Sequence, residues 1–261
     1  MARLEHKTCI ITGAARGIGE AIARAFAAEG AQVVVTDIDV TTGKILANAI
    51  GAKFIELDIA KEDHWDNLAE AYPNIDVLVN NAGITGFEGG VVPHDPENAS
   101  LADWRAVHRV NTDGTFLGCR YGIKAMRGAG AGSIINMSSR SGMVGIPAAS
   151  AYAASKAAIR NHTKTVALYC AQQGLNIRCN SVHPAAIMTP MWDPMLPPGE
   201  KAREQAMQAL VKDTPLGRFG EPSEVAAICV LLASDEASYI TGAEFTIDGG
   251  ILAGSAAAPG S

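Results

Sequence analysis

The stretch of sequence that decides the fold lies near the start of the chain, at residues 8–19, and its sequence is TCIITGAARGIG. An apolar strand pattern over Thr8–Thr12 stops at Gly13, and an amphipathic helical pattern begins at Gly17. Glycines at such a strand-to-helix turn let backbone N–H groups approach a phosphate, whose negative charge the helix N-terminus favours. Tight packing of a strand against a helix also needs glycines, so the turn alone is weak evidence for a ligand. It predicts a βα unit whose turn is suited to a phosphate.

Strand and helix patterns alternate over the rest of the chain. We predict further strands at residues 32–37, 53–58, 76–80, 132–138, 176–183 and 244–248, and helices at 17–29, 40–50, 65–72, 100 to beyond 111, 152–173 and 222–233. Most apolar runs are continuous, which is typical of strands covered on both faces. Short connections between strands and helices indicate right-handed βαβ units. The pattern predicts an α/β fold, a single doubly wound Rossmann-type domain over residues 1–251 with a seven-stranded parallel sheet and helices on both faces.

The composition agrees with one globular domain and excludes several classes of protein. The 261 residues are 48% hydrophobic, which is enough for a core that needs no disulfide or metal. A net charge of −6 without a basic block argues against nucleic-acid or anionic-membrane partners. The longest apolar run, residues 225–233, has nine residues, and the N-terminus lacks the core of a signal peptide. We therefore expect no membrane span and no export.

The cysteines and histidines point to a reduced protein without a metal. The five cysteines form no C-x-x-C pair and mostly lie in apolar stretches, at positions 9, 119, 170, 179 and 229. Buried, reduced thiols of this kind are typical of a cytoplasmic protein. The six histidines show no metal-ligand spacing, so we expect no metal site.

Two irregular segments, residues 86–99 and 183–198, interrupt the alternation of strands and helices. Both follow predicted strands, and the carboxyl edge of a parallel sheet is where such folds bind ligands. Long loops in a compact α/β domain are more often functional than accidental. We expect a substrate lid at about residues 188–212 and, beyond the domain, a tail at residues 252–261 that is rich in Ala, Gly and Ser.

An acidic residue at the end of the second strand bears on which nucleotide the glycine turn would hold. Asp37 lies eighteen residues after Gly19. A carboxylate there can accept hydrogen bonds from the ribose hydroxyls of NAD, and it repels the 2′-phosphate of NADP. Arg16 argues the other way, because a guanidinium can hold that phosphate. We expect NAD to be preferred over NADP, because Asp37 lies where the phosphate would have to go.

A second constellation, Ser139, Tyr152 and Lys156, points to acid–base chemistry. Tyr152 and Lys156 are four residues apart on a predicted helix, so both project from one face. A lysine ammonium beside a phenol lowers the phenol's pKa from about 10 and makes it usable as an acid or base near neutral pH. Ser139 follows the strand at 132–138, where its hydroxyl can hold a substrate oxygen. The alternatives are an ordinary pair on a helix surface and a serine hydrolase, which would need a Gly-x-Ser-x-Gly motif and a histidine for Ser139.

Together these motifs resemble the short-chain dehydrogenase/reductase family of the compact type. The resemblance covers roughly residues 4–250 and depends on several separate motifs in the right order. They are the glycine turn, Asp58 after the third strand, Asn80-Asn81-Ala82-Gly83, Asn111, Ser139, Tyr152-Ala153-Ala154-Ser155-Lys156, and Pro190 after Thr189. The resemblance implies hydride transfer between a nicotinamide cofactor and an alcohol or carbonyl carbon, without a metal.

The resemblance also implies roles for individual residues. Tyr152 would exchange the proton, Lys156 would lower its pKa and bind the nicotinamide ribose, and Ser139 would position the reacting oxygen. Asn111 would hold a water that links Lys156 to solvent, unless it only marks a kink in its helix. The residues that the resemblance places at the cofactor are Gly13, Arg16, Gly17, Ile18, Gly19, Asp37, Ile38, Asp58, Ile59, Asn81, Ala82, Gly83, Tyr152, Lys156, Pro184, Ile187 and Thr189.

The chain departs from the family pattern after the sixth strand. Many relatives have Pro-Gly there, whereas this chain has His183-Pro184-Ala185-Ala186. Alanine restricts the backbone more than glycine does. We expect cofactor binding to survive and the floor of the substrate pocket to be reshaped. His183 itself is expected to be a packed residue at the end of its strand.

The second irregular segment is rich in large apolar side chains: Met188, Met191, Trp192, Met195 and Leu196. A lid of this composition suits an apolar, bulky substrate, although the same residues can simply pack the lid on its own domain. We predict the interconversion of an apolar secondary alcohol and its ketone, with Ser139, Tyr152, Met191 and Trp192 at the substrate. Cyclic alcohols and hydroxysteroids are plausible, because residues 132–191 resemble bacterial hydroxysteroid and cyclic-alcohol dehydrogenases.

Three other functions stay open. NADPH-dependent reduction of 3-oxoacyl thioesters would need a basic patch for an acidic carrier protein, for which Arg105, Arg109 and Arg120 are candidates. A sugar or polyol dehydrogenase would be expected to have a more polar lid. A nucleotide-sensing binding module would be expected to lose part of the catalytic set, and here the whole set is present.

The long predicted helix at residues 152–173 bears on assembly. It carries alanines at positions 153, 154, 157, 158 and 167, and small residues let helices approach closely. Helices with apolar stripes on more than one side often pack against another subunit. The resemblance implies a homotetramer, with a homodimer as the alternative.

Overall fold

The centre of the computed structural model, which describes residues 2–254, is one sheet of seven parallel strands. The strands are β1 (Thr8–Thr12), β2 (Gln32–Asp37), β3 (Lys53–Glu56), β4 (Val77–Asn80), β5 (Gly132–Met137), β6 (Ile177–Pro184) and β7 (Glu244–Ile247). Their order across the sheet is β3-β2-β1-β4-β5-β6-β7, and each neighbouring pair is parallel. The order reverses between β1 and β4, which is the switch point where such sheets bind ligands. The predicted fold class is confirmed.

Helices cover both faces of this sheet. Within residues 2–254 they are α1 (Gly17–Ala28), α2 (Val40–Ile50), α3 (Glu62–Ala71), α4 (Leu101–His108), α5 (Gly114–Met126), α6 (Ser150–Gln172), α7 (Glu200–Leu210) and α8 (Pro222–Ala233). Of the expected tail at 252–261, residues 255–261 lie outside the described residues. In the described part of the chain, no helix combines the length and the apolar character that crossing a membrane requires.

Two helical features differ from the predicted pattern. The predicted helices do not include α7, a mostly polar segment within the expected lid in which no side chain is fully buried. The helix predicted from residue 100 to beyond 111 consists of α4, a five-residue π-helical turn at Arg109–Asp113, and α5. The Ser100 hydroxyl caps α4 by accepting a hydrogen bond from the N–H of Asp103 at 3.0 Å.

The core consists of two apolar layers, one on each face of the sheet. Ile11 of β1 belongs to the layer that also contains Phe26 of α1 and Leu232 of α8. The neighbouring Ile10 belongs to the opposite layer, with Trp65 of α3. Successive strand residues point to opposite faces, so a continuous apolar run serves both layers. Each large side chain that is fully buried contributes about 1.5–3 kcal/mol relative to exposure. Burial on both faces therefore holds the strand ends, and the loops that follow them, in fixed positions.

The two irregular segments leave the carboxyl ends of β4 and β6 and lie at the same edge of the sheet. The first is tied to the start of α6, because the carbonyl oxygen of His94 accepts a hydrogen bond from the N–H of Ser150 at 2.9 Å. The second is tied to residues just before α8, because Ile187 forms a β-bridge with Gly220. This edge of the sheet is therefore walled by both segments.

Candidate active site

The glycine turn forms a cradle in which an added side chain would collide with backbone. Gly13 and Gly17 have φ angles of 61° and 60°, a left-handed conformation that glycine adopts without strain. A Cβ on Gly13 would lie 2.6 Å from the Cα of Ala82, and one on Gly19 would lie 2.3 Å from the carbonyl oxygen of Gly13. Arg16 is the N-cap residue of α1, and its side chain makes no capping hydrogen bond. The close backbone and the open helix N-terminus fit a pyrophosphate group.

Thr12 joins this cradle to the end of β4, a role that the sequence pattern does not reveal. Its buried hydroxyl accepts hydrogen bonds from the backbone N–H groups of Asn81 and Ala82, both at 3.0 Å. In return, Asn81 Nδ2 donates to the carbonyl oxygens of Thr12 and Gly13, both at 3.0 Å. The available signal was slight: one threonine at the end of an apolar strand.

Asp37 places a fixed carboxylate beside the glycine turn. Its Oδ2 accepts a hydrogen bond from the N–H of Ala15, and its Oδ1 accepts one from the N–H of Asp39, both at 2.9 Å. The residue is 7% exposed at the end of β2. The neighbouring Arg16 and Ile38 are exposed. A carboxylate in this position is suited to accept hydrogen bonds from ribose hydroxyls.

The residues predicted for an adenine pocket form a turn after β3. Asp58 Oδ1 accepts a hydrogen bond from the N–H of Ala60 at 3.0 Å, and the N–H of Asp58 donates to His64 Nδ1 at 3.2 Å. Ile59 is buried next to Gly114, where an added Cβ would lie 2.5 Å from the Ile59 Cδ1. The Asp58 carboxylate is half-buried, and its contacts are local to this turn.

Lys156 and Asn111 converge beside Gly83. Lys156 Nζ donates a hydrogen bond to the carbonyl oxygen of Met137 at 2.9 Å. The Asn111 side chain forms two hydrogen bonds with the backbone of Ile84. Its Oδ1 accepts from the N–H at 2.8 Å, and its Nδ2 donates to the carbonyl oxygen at 2.9 Å. A Cβ on Gly83 would lie 3.0 Å from Asn111 Oδ1 and 3.3 Å from Lys156 Nζ. The gap at Gly83 thus admits a glycine and little more. Asn111 also lies in the π-helical turn, which is the irregularity that the alternative interpretation expected in this helix. The same residue lies beside Lys156 at Gly83.

Tyr152 and Ser139 complete the predicted catalytic set. Ser139 is 8% exposed, and its Oγ accepts a hydrogen bond from the N–H of Ser141 at 3.1 Å and donates to the carbonyl oxygen of Pro184 at 3.5 Å. Tyr152 is half-buried at the start of α6, and Lys156 Nζ lies 5.6 Å from the centroid of its ring. Strand β5 and helix α6 therefore bring the three side chains together, as the sequence predicts.

The protonation of this set differs from the expectation. Burial lowers the pKa of Lys156 to about 8. Burial also raises the pKa of Tyr152, and the charge of Glu88 raises it further. Hydrogen bonding with Ser139 lowers this pKa, but only enough to offset part of the rise. The expected lowering of the pKa of Tyr152 by Lys156 is not found: the net shift is upward, burial is its largest cause, and Lys156 is not among the groups that act on it.

The residues predicted after β6 face the glycine cradle. Pro184 ends β6 and is buried, and Ile187 is buried beyond it. Thr189 lies opposite Gly17, because a Cβ added there would be 3.3 Å from the Thr189 Cγ2. The cradle and the segment after β6 thus approach each other closely across the edge of the sheet.

The two lid residues predicted to contact substrate have different surroundings. Trp192 Nε1 donates to the carbonyl oxygen of Ile187 at 2.8 Å, and its ring packs edge-on against Phe219 with centroids 5.5 Å apart. Trp192 therefore packs the lid on its own domain, which was the alternative interpretation. Met191 is 42% exposed and is the freer of the two.

A cavity lies beside this set and not in it. It has a volume of about 790 Å³ and is lined by residues from 96–104 and 145–153. Ser139, Tyr152, Lys156 and the lid residues are not part of its lining. The cavity opens beside the start of α4 and α6. It therefore does not mark the position of the predicted catalytic side chains.

The cysteines and the possible metal ligands of residues 2–254 bear on two further predictions. The five cysteines are free and buried, in agreement with the predicted reduced thiols. No group of three or more His, Cys, Asp or Glu side chains within residues 2–254 is arranged to hold a metal ion.

Comparison with known proteins gives one family over nearly the whole chain. The model of the family described as Enoyl-(Acyl carrier protein) reductase matches residues 13–252. The chain is 43% identical over 260 residues to an NADP-dependent (R)-specific alcohol dehydrogenase of Lentilactobacillus kefiri, covering 96% of this chain and 98% of the relative.

Two further relatives are named for ring-shaped substrates. The chain is 42% identical over 258 residues to a 3-alpha-(or 20-beta)-hydroxysteroid dehydrogenase of Mycobacterium bovis, covering 97% of this chain and 92% of the relative. It is 38% identical over 262 residues to a cyclopentanol dehydrogenase of Comamonas sp., covering 97% of this chain and 100% of the relative.

Proposed function

We propose that this chain, which belongs to the short-chain dehydrogenase/reductase family, is an NAD-dependent oxidoreductase of apolar secondary alcohols and their ketones. Cyclic alcohols and hydroxysteroids are the substrates that we consider first. The observation that carries the proposal is the convergence of Ser139, Tyr152 and Lys156 at the carboxyl edge of the sheet, beside the glycine cradle.

The catalytic residues would divide the work as follows. During oxidation Tyr152 would take the hydroxyl proton of the alcohol, and during reduction it would return a proton to the ketone oxygen. Ser139 would hold the reacting oxygen with its hydroxyl. Lys156 has three N–H donors, of which one is used on Met137, so two remain for ribose hydroxyls. The chemistry that nicotinamide supplies when bound is the acceptance or donation of hydride.

The preference for NAD rests on Asp37. Its carboxylate is buried, held by two backbone N–H groups and unable to swing away from an incoming 2′-phosphate. Arg16 is exposed beside it and is the residue that would favour NADP. The Lentilactobacillus kefiri relative is NADP-dependent by name, so a direct comparison of the two cofactors is needed.

The apolar substrate class rests on the lid and on the relatives. Met191 is available at the surface of the segment that follows β6, and Trp192 holds this segment on the domain. The relatives named above act on an alcohol, a hydroxysteroid and cyclopentanol. We place the lid at residues 188–212, which include the helix α7.

A second candidate function is NADPH-dependent reduction of a 3-oxoacyl thioester. The description of the matching family model, which names an acyl carrier protein, favours it. Of the three arginines proposed for a carrier protein, Arg105 and Arg109 are exposed. Arg120 is paired with Glu62 and stacked over Phe116, so it is less available.

The test is a substrate panel with the purified protein. Cyclopentanol, a hydroxysteroid, a polyol and a 3-oxoacyl thioester are each offered with NAD(H) and with NADP(H), and the absorbance of the reduced cofactor is followed. We expect turnover of the first two with NAD and loss of that turnover in Tyr152→Phe. Turnover confined to the polyol or to the thioester would overturn the proposal.

We also propose a homotetramer in the cytoplasm. Large apolar side chains stay exposed along the faces of α4, α5 and α6, and they include Leu101, Trp104, Phe116 and Leu168. Exposed large apolar side chains of this kind are typical of a face that meets another subunit. The free, buried cysteines suit a reducing compartment.

A further inference from the structure

His183 lies where the backbones of β5 and β6 stop bonding to each other. The N–H of Ser138 donates to the carbonyl oxygen of Val182 at 2.9 Å, and Met137–Val182 is the last registered pair of the two strands. The next residue of β6 that would donate in this ladder is Pro184, which has no N–H. The ladder between β5 and β6 therefore ends at Ser138, and the next carbonyl oxygen, that of Ser139, accepts a backbone bond only within its own turn, from the N–H of Gly142 at 2.9 Å.

The imidazole of His183 bonds to the chain at this gap. Its Nδ1 lies 3.2 Å from the carbonyl oxygen of Ser139, and its Nε2 lies 2.8 Å from Ser181 Oγ. A carbonyl oxygen only accepts, so Nδ1 carries the hydrogen and donates it. In the neutral ring Nε2 then accepts from the Ser181 hydroxyl. His183 is 0% exposed, so both bonds are shielded from water.

We propose that His183 is a positioning residue for Ser139, acting by donating from Nδ1 to the Ser139 carbonyl and so tying the residue just past the end of the ladder to β6. The inference rests on the proposed function, because it assigns to Ser139 the task of holding the reacting oxygen. The Ser139 hydroxyl also donates to the carbonyl oxygen of Pro184, the residue next to His183. Both ends of Ser139 are thus bonded to the end of β6.

The surroundings keep the ring neutral. Burial is the main cause that lowers the pKa of His183. The charged groups that act on it are Glu244 of β7 and Arg160 and Lys156 of α6. A neutral ring with its hydrogen on Nδ1 has a fixed orientation, because the opposite nitrogen is bonded to Ser181. This orientation is what a positioning role requires.

The test compares two variants that differ in one property. His183→Asn places an amide N–H close to the position of Nδ1, and His183→Leu has nearly the same shape but no donor. Both variants replace the ring by side chains with the same number of heavy atoms and the same branching, so they disturb the packing in similar ways. We expect kcat of His183→Asn to stay within about threefold of the parent and kcat of His183→Leu to fall about tenfold or more, since small displacements at a reacting centre are costly. Equal kcat values in the two variants would overturn the inference.

Two further readouts separate positioning from general damage. The dissociation constant for NAD, measured by titration, and the melting temperature should agree between the two variants. A lower affinity or melting temperature in His183→Leu alone, sufficient to account for its loss of kcat, would assign the effect to structure and contradict the inference.

A measurement on the unaltered protein remains if both variants fail to fold. The ¹⁵N chemical shifts of the His183 ring distinguish the Nδ1–H tautomer from the Nε2–H tautomer. We expect the Nδ1–H tautomer at neutral pH, and an Nε2–H tautomer would overturn the inference. This measurement needs no turnover. If the parent oxidises no alcohol in the panel, the proposed function fails, while the tautomer still decides whether His183 bonds to Ser139.

Discussion

Two backbone N–H groups hold the Asp37 carboxylate in place, so its charge acts on whatever lies at the adenosine ribose. In Asp37→Asn the shape is kept and the charge is lost. Because a like-charge contact costs several kcal/mol, we expect kcat/KM with NADP to rise about tenfold or more. The measurement is kcat/KM with both cofactors on one alcohol. An unchanged ratio would show that Asp37 does not decide the preference.

Under the proposed function, the pKa of Tyr152 determines how the two directions of the reaction depend on pH. Burial raises this pKa, so the neutral phenol is the main form near pH 7. Ketone reduction needs that form, whereas alcohol oxidation needs the phenolate. We expect kcat/KM for oxidation to rise as the pH is raised from 7 to 10 and kcat/KM for reduction to fall over the same range. Initial rates at constant ionic strength test this, and a parallel trend in both directions would contradict it.

The sequence predicts which residues meet better than it predicts their charge states. The four-residue spacing of Tyr152 and Lys156 places both on one helix face whatever the environment. The direction of their pKa shifts depends on how completely β5 and α6 exclude water from them, and that is a property of packing. His183 illustrates the same limit. Its bond to Ser139 could be predicted only by someone who knew that β5 and β6 end side by side.

At the scale of the helix, Gly118 of α5 allows close contact with β4. A Cβ at this position would lie 2.0 Å from the Oδ1 of Asn80, whose Nδ2 donates to Asn136 Oδ1 in the core. Alanine is the better helix former by about 1 kcal/mol. We nevertheless expect Gly118→Ala to lower the free energy of unfolding by about 1–3 kcal/mol, because the buried amide must move.

Urea denaturation measures this change. Gly128→Ala is the matched control, because its added Cβ would have Asn74 Oδ1 as its nearest neighbour, at 4.0 Å. We expect it to change stability by less than about 0.5 kcal/mol. A Gly118→Ala protein as stable as the control would show that β4 adapts without loss.

The lid depends on Trp192 for its attachment to the domain. Removing the ring in Trp192→Ala loses the hydrogen bond to Ile187 and the edge-on contact with Phe219. We expect faster hydrogen exchange across residues 188–212 and a higher KM for the alcohol. Met191→Ala is the control, because this side chain is 42% exposed and should affect KM without affecting exchange. Equal exchange in the two variants would contradict the anchoring role.

Elements with a buried stripe were predictable and elements without one were not. The helices α1 and α6 bury whole faces, and the spacing of their apolar residues predicts them. α7 is mostly polar and none of its side chains is fully buried, so the sequence offers little apolar surface from which to predict a helix there. The π-helical turn at Arg109–Asp113 is set by the contacts of Asn111 with Ile84, which no local pattern encodes.

At the scale of the whole molecule, the exposed apolar faces of α4, α5 and α6 lead to a prediction of mass. Light scattering should give four times the 27.1 kDa of one chain. Phe116→Glu, which puts a charge in the apolar face, should lower that mass. Tyr239→Glu is the control, because Tyr239 is fully exposed outside these helices. A single-chain mass for the parent protein would rule out the tetramer and the dimer alike.

The strand order also determines in which order the strands can pair while the ribosome synthesises the chain. The strand made first, β1, lies in the interior of the sheet and cannot gain both neighbours until β4, ending at Asn80, has emerged. From then on each new strand is added on the same side of the sheet, and the strand made last, β7, becomes the edge strand on that side. A nascent chain of about half length already contains the glycine cradle, whereas the bonds of Ser139 to Pro184 and His183 form only when β6 arrives. Under the proposed function, nucleotide recognition can therefore precede catalytic competence during translation.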